Sequence, residues 1–260
     1  MEKIIDDKIF TEQVLSLALD LGKSMVKCGA EINRVEETVI RIGHAYGMKS
    51  TEVFSVVSVI HATVISENDR THTQMRRITS YSTNFERLEK LNALSRSICQ
   101  NPPELADARK QLEEICAEER KFNLRVCIGN VVAAAAFAIF FGGTPMDALA
   151  TAPIAVIITL MQTYIKATGA SKLFFTALDS AIAGTLALLF VHIGFGDNPD
   201  MIMIGDIMLL IPGLLLINSV REMLCGDLMS GLLRLLESVI LAMAIACGFA
   251  IPLLVAGYIL

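Results

Sequence analysis

Apolar positions near the start of the chain recur at alternating spacings of four and three: Val14, Ala18, Leu21, Met25, Cys28, Ile32, Val35, Val39 and Ile42. That spacing marks one continuous helical face. Gly29 is placed to end a first helix and Gly47 a second that starts near Glu31, because glycine readily takes the left-handed conformation past a helix end. From Thr51 to Ile78 the pattern changes to β-branched, partly alternating runs, VFSVVSV, HATVIS and THTQMRRI. With Glu67-Asn68-Asp69-Arg70 as the turn between the last two, they predict a small antiparallel sheet. His61 and His72 fall in strand context and read as structural or surface groups. Thr83 followed by Glu86 reads as a capping box for a helix near 84–99. Asn101-Pro102-Pro103 interrupts it, and a further helix is expected from about 104 to 120, running into the first apolar run.

Beyond residue 122 the pattern is apolar. Five runs, near 124–142, 148–166, 173–195, 201–224 and 232–258, are long enough to cross a hydrocarbon core of about 30 Å, which takes roughly 17–25 helical residues. AAAA at 133–136 and SAIAG at 180–184 supply the small residues that let helices approach closely in lipid. Pro212 and Gly213 stand together in the fourth run, where proline removes a backbone donor and predicts either a broken span or a simple kink. The fold expected is a polytopic α-helical membrane protein of about five transmembrane helices with an N-terminal α+β cytosolic domain. The boundary falls at residues 121 and 122.

Composition sharpens the division. Hydrophobic residues are 53% of the 260 and the mean hydropathy is +0.56, yet 18 of the 22 Lys and Arg lie between Lys3 and Arg125. The other four are Lys166, Lys172, Arg221 and Arg234. Two candidate outside loops, 142–147 and 194–200, hold three Asp and no Lys or Arg. Positive charge favours the cytoplasmic face, so the N-terminus is expected inside and the C-terminus outside, in an inner (plasma) membrane. The net charge of −5 opposes a nucleic-acid footprint, which needs a basic face.

The opening MEKIIDDKIF carries no apolar core of a signal peptide. The six cysteines form no metal-binding spacing and read as reduced packing residues. No nucleophile–base set, phosphate loop or metal cluster stands out, so neither an enzyme nor a cofactor is expected.

Ionisable and amide groups inside spans are costly and mark functional candidates. At about 1.5 Å per residue, Asn130, Gln162, Asp179, Asn218, Arg221 and Glu237 fall in the cytosolic half of the bundle. Asp206 belongs to the outer part. The shared depth predicts a polar vestibule open to the cytosol, in competition with plain interhelical hydrogen bonds.

Two stretches carry a resemblance. LGKSMVKCGAEINRVEETVIRIGHAYGM (21–48) and LLIPGLLLINSVREMLCGDLMSGLLRLLES (209–238) resemble the two signatures of the threonine/serine exporter family. The resemblance implies roles for Gly29, Ala30, Glu31, Arg34 and Glu36, and for Pro212, Gly213, Asn218, Gly226, Asp227, Gly231 and Arg234. It implies export of threonine or serine. With about five spans where single-chain members have about ten, it points to the half-size type, which acts with a small second membrane subunit and is associated with succinate. The expected protein is therefore a subunit of a secondary, proton-coupled exporter of small carboxylates. Its partners would be a five-span subunit, membrane lipid and, in one arrangement, further copies. Arg221 or Arg234 together with the Pro212-Gly213 break would receive the substrate carboxylate, and Asp179, in one arrangement with Asp206 or Glu237, would bind the coupling proton. The alternative is a membrane-anchored metabolite sensor or scaffold acting through its cytosolic domain.

Overall fold

The structure, a computed structural model, describes residues 2–79, 83–117, 122–164 and 171–259. Packing divides the chain into two units. One comprises Met1–Glu119 with Ile217–Leu235, and the other Arg120–Leu216 with Leu236–Leu260. The first unit thus takes in a late segment that a single division at 121 and 122 would leave with the second.

In the first unit the nine stripe residues, from Val14 to Ile42, are all buried. They lie on α1 (Glu2–Lys27), on α2 (Ile32–Ala45) and, for Cys28, in the turn between them. Gly29, at φ +94°, ends α1, and the amides of Gly29 and Ala30 bond back to Val26 and Met25 at 3.0 Å. Gly47 closes α2 in the same way, with the Gly47 and Met48 amides on His44 and Gly43. These paired bonds satisfy carbonyls that the helix itself cannot. Strands β1 (Ser50–Val56), β2 (Val59–Ile65) and β3 (Thr71–Arg77) form an antiparallel sheet in sequence order. Ile60, Ala62 and Val64 alternate into the core, as period two requires. Each large side chain fully buried there stabilises the unit by about 1.5–3 kcal/mol. Gly43 allows α2 to lie against β1: a Cβ at that position would sit 2.2 Å from Thr51 Oγ1.

Helices α3 (Phe85–Gln100) and α4 (Leu105–Ala117) complete that core with Leu91, Ile98 and Ala108. The cap expected at Thr83 is instead Asn84, whose side chain accepts the Arg87 amide at 3.1 Å. Whether α4 runs on toward the apolar half lies outside the described residues.

The second unit contains α5 (Leu124–Phe140), α6 (Pro145–Tyr164), α7 (Lys172–His192) and α8 (Pro199–Leu210). Helices α9 (Gly213–Leu224) and α10 (Leu228–Ile259) belong partly to each unit. Small residues set the close crossings. A Cβ on Gly205 would lie 2.7 Å from the Ala134 carbonyl, and one on Gly248 2.4 Å from the Ala177 carbonyl. Among the described residues α6, α7 and Leu228–Gly257 of α10 are long and apolar enough to span a membrane. Helices α8 and α9, bent by 49° at Ile211-Pro212, form a fourth candidate. Helix α5 is apolar but has 17 residues. The described helices therefore give three or four spans by length and composition, against the five expected.

Candidate functional site

The first unit brings the two signature stretches into contact. Gly226, at φ +101°, terminates α9, and the chain returns as α10. Gly231 lets the two helices touch: a Cβ there would lie 2.7 Å from the Ser219 carbonyl and 2.4 Å from Met223 Cγ. Across this hairpin Arg234 Nε stands 3.2 Å from Glu222 Oε2, with side chains only 3% and 2% exposed. The start of α2 meets both groups. Glu222 accepts the Ile32 amide at 3.3 Å, and Arg234 donates to the Ala30 carbonyl at 3.0 Å. A helix start offers unpaired amides and a positive dipole end, and a carboxylate from α9 supplies both needs. Arg221 donates to Glu31 at 2.6 Å, and its side chain is 58% exposed.

Two further carboxyls of this unit are held above their usual range. Burial is the main cause at Glu36; its neighbour Asp227 adds to the effect and the Ser55 amide, 2.6 Å away, works against it. Burial alone raises Asp227, one of whose carboxyl oxygens has no hydrogen bond among the described residues.

The second unit holds the remaining sequence candidates. Asp206 on α8 is 0% exposed, and neither carboxyl oxygen has a hydrogen-bond partner among the described residues. Pro212 and Gly213 lie at the break that follows α8, where the Gly213 amide bonds Ile211 at 2.8 Å. Asp179 on α7 is buried at 6% exposure. Asn130 donates to Thr159 at 2.9 Å and joins α5 to α6. Gln162 is half-buried near the end of α6. Glu237 accepts from Lys172 at 3.2 Å.

The candidates divide between the two units. Arg221 and Arg234 are engaged by carboxylates of the first unit, and Asn218, half-buried, lies on the same α9 segment. Asp206, Asp179, Asn130, Gln162 and Glu237 belong to the second unit.

Two groups escaped the sequence reading. Glu222 lies directly after Arg221, and only its burial distinguishes it. Asp147 is fully buried: Oδ1 accepts the amides of Asp197 and Asn198 at 2.7 and 2.8 Å, and Oδ2 accepts the Thr144 amide at 2.9 Å. It fastens the turn before α6 to the turn before α8. The local signal was present, since Thr144-Pro145-Met146-Asp147 has the spacing of a helix cap. Among the described residues no group of His, Cys, Asp and Glu has the arrangement of a metal site. The cysteines are free there, and Cys116, Cys225 and Cys247 are exposed rather than packed.

A family model described as "Putative threonine/serine exporter" matches residues 16–255. A "Probable threonine/serine exporter" of Mycobacterium tuberculosis is 23% identical over 249 residues, which are 95% of this chain and 47% of that protein. A "Threonine/serine exporter" of Corynebacterium glutamicum is 24% identical over 247 residues, 90% of this chain and 50% of that protein. The chain spans about half the length of these curated relatives. No solved structure matches it.

Proposed function

The chain belongs to the threonine/serine exporter family, and from that premise we propose that it forms one half of a proton-coupled exporter of small carboxylates. The family is one of membrane exporters, not enzymes. The names of both relatives support threonine or serine as substrate, with a dicarboxylate such as succinate as the alternative within the same chemistry.

The observation that carries the reading is Asp206. A fully buried carboxyl without a hydrogen-bond partner among the described residues is expensive, and in an apolar bundle it is retained at a cost. Four residues further on the helix ends, and α8 and α9 meet at 49°. A broken helix exposes backbone amides and carbonyls that substrates and coupling ions use. Asp206 takes up the proton in this reading, with Asp179 and Glu237 as further acids along the route. The substrate carboxylate exchanges with Glu31 on Arg221, whose side chain is exposed, while Arg234 remains in its buried pair.

Transport in this reading needs a second small membrane subunit of about five spans that supplies what the other half of the longer relatives supplies. The half-length match supports it. Five spans, with the N-terminus cytosolic and the C-terminus external, remain the topology proposed. A reporter fused after Leu260 should read the external side and one at Ser97 the cytosol; the same side at both would refute it.

The functional test is uptake of labelled threonine, serine and succinate into proteoliposomes under an imposed pH gradient, with and without the partner. The paired vesicles should transport. Asp206→Asn, nearly the same size, should insert normally and lose the dependence on the gradient. Full gradient-dependent transport by Asp206→Asn would end the assignment of Asp206, and full transport by this chain alone would end the two-subunit reading in favour of a homo-oligomer.

A further inference from the structure

Helices α1, α3 and α4 of the first unit enclose an open cleft of about 340 Å³. Lys23 and Lys27 from α1, Arg87 from α3 and Arg109 from α4 line it, over the apolar side chains of Leu17 and Leu112. These four cations are scattered over 87 positions of sequence and meet only through folding. Two acids also line the cleft, but Asp20 is already held by Arg76, whose Nε lies 2.7 Å away. Glu113 is the other. Among the described lining residues four cations thus face two acids.

The arrangement works against the fold itself. Lys23 and Lys27 are one helical turn apart, where like charges cost about 0.2–0.5 kcal/mol. Neither has an ion-pair partner among the described residues, whereas other exposed lysines do: Lys8 with Glu12, Lys90 with Glu86. Arginine forks match planar or tetrahedral oxyanions in two-point contact, and lysines add mobile point charges. A second depression of about 640 Å³ shares Leu17 and Arg109 with the first and adds Ile9, Leu105 and Ala106, together with Gln13, Ser16 and Glu12, the last paired with Lys8. The two together offer a charged end and a less polar extension, at a volume usual for metabolite sites.

We propose that this cleft binds a small multivalent oxyanion, a phosphate or paired-carboxylate group, between α1, α3 and α4. The site lies entirely within residues 17–116 and does not depend on the export reading. Two sources share the chemistry, a soluble metabolite and an anionic lipid headgroup.

The test uses the full chain in nanodiscs of zwitterionic lipid, titrated calorimetrically with inorganic pyrophosphate at constant ionic strength. One saturable site is expected. Lys23→Gln with Lys27→Gln should weaken it by about tenfold or more, which is about 1.4 kcal/mol, and leave the unliganded melting temperature unchanged or raised. Arg109→Gln should weaken binding in the same direction. Absence of saturable heat, or equal affinity in both variants, would overturn the site. Repetition in nanodiscs containing phosphatidylglycerol separates the sources: binding abolished there assigns the cleft to lipid headgroups, and binding retained assigns it to a soluble anion.

Discussion

Replacement of Arg234 by methionine should be among the most damaging single changes in the first unit. The change keeps an unbranched side chain but removes a guanidinium that is 3% exposed and touches two partners, Glu222 at 3.2 Å and the Ala30 carbonyl at 3.0 Å. The carboxylate left behind is 2% exposed and holds only the Ile32 amide. Removing one partner of a buried pair costs about 3–5 kcal/mol. At about 2–4 °C per kcal/mol for a chain near this size, the melting temperature should fall by roughly 10 °C.

The double replacement Glu222→Leu with Arg234→Met separates the pair from its surroundings. Exchanging a buried pair for apolar side chains is in general neutral or stabilising by about 1–4 kcal/mol. Here the Ile32 amide and the Ala30 carbonyl lose their partners as well, at about 1–3 kcal/mol each. At the middle of these ranges the double variant is less stable than the parent by about 2 kcal/mol, and should still lie above either single variant. Thermal melting followed by circular dichroism in detergent gives the three values for a double-mutant cycle. A double variant as unstable as the sum of the singles would mean that Glu222 and Arg234 do not act as a pair. An Arg234→Met variant within about 1 kcal/mol of the parent would refute the buried-pair argument itself.

Asp147→Ala should destabilise the second unit by at least about 3 kcal/mol, because the amides of Asp197, Asn198 and Thr144 lose a charged acceptor together; a melting temperature equal to the parent's would show that these turns hold without it. Glu36→Gln has a pH-dependent sign. The folded carboxyl lies above its unfolded range, so the folded state gains stability as pH falls and loses it as pH rises through the folded value. The glutamine variant, which can still accept the Ser55 amide, should therefore melt higher than the parent at pH 7 and show a smaller advantage at pH 4; an advantage that grows on acidification would reverse the argument.

How much of this was legible in the sequence depends on the distance over which each feature is determined. The stripe from Val14 to Ile42 and the alternation of Ile60, Ala62 and Val64 are local periodicities, and both lie in the core. Gly29 and Gly47 end helices because the backbone there has positive φ, a requirement that residue type announces. The cap at Asn84 was less legible, since Thr83 and Asn84 are both competent and only the path of the chain decides which oxygen reaches the Arg87 amide. The pairing of Glu31 with Arg221 and of Ala30 with Arg234 spans 190 and 204 positions, and no local pattern carries it. Depth counting along each span placed Asn218, Arg221 and Asp179 at one level. Depth alone cannot say what a polar group faces, and Arg221 has its partner, Glu31, in the N-terminal half of the chain.

That pairing changes which residues remain open to chemistry. The two signature stretches, 21–48 and 209–238, put several of their charged side chains on one another, and an arginine already neutralised in a buried pair offers little to an arriving carboxylate. Arg234 is of this kind. Arg221 differs in one respect that matters: its bond to Glu31 is equally charge-assisted, but its side chain is 58% and that of Glu31 25% exposed, against 3% and 2% for Arg234 and Glu222. An exposed ion pair is worth about 0–1 kcal/mol, small enough for a second carboxylate to compete, whereas separating Arg234 from Glu222 strands two ions without solvent. In the proposed exporter, exchange of anions therefore falls to Arg221, while Arg234 joins α9, α10 and the start of α2 through Glu222 and the Ala30 carbonyl.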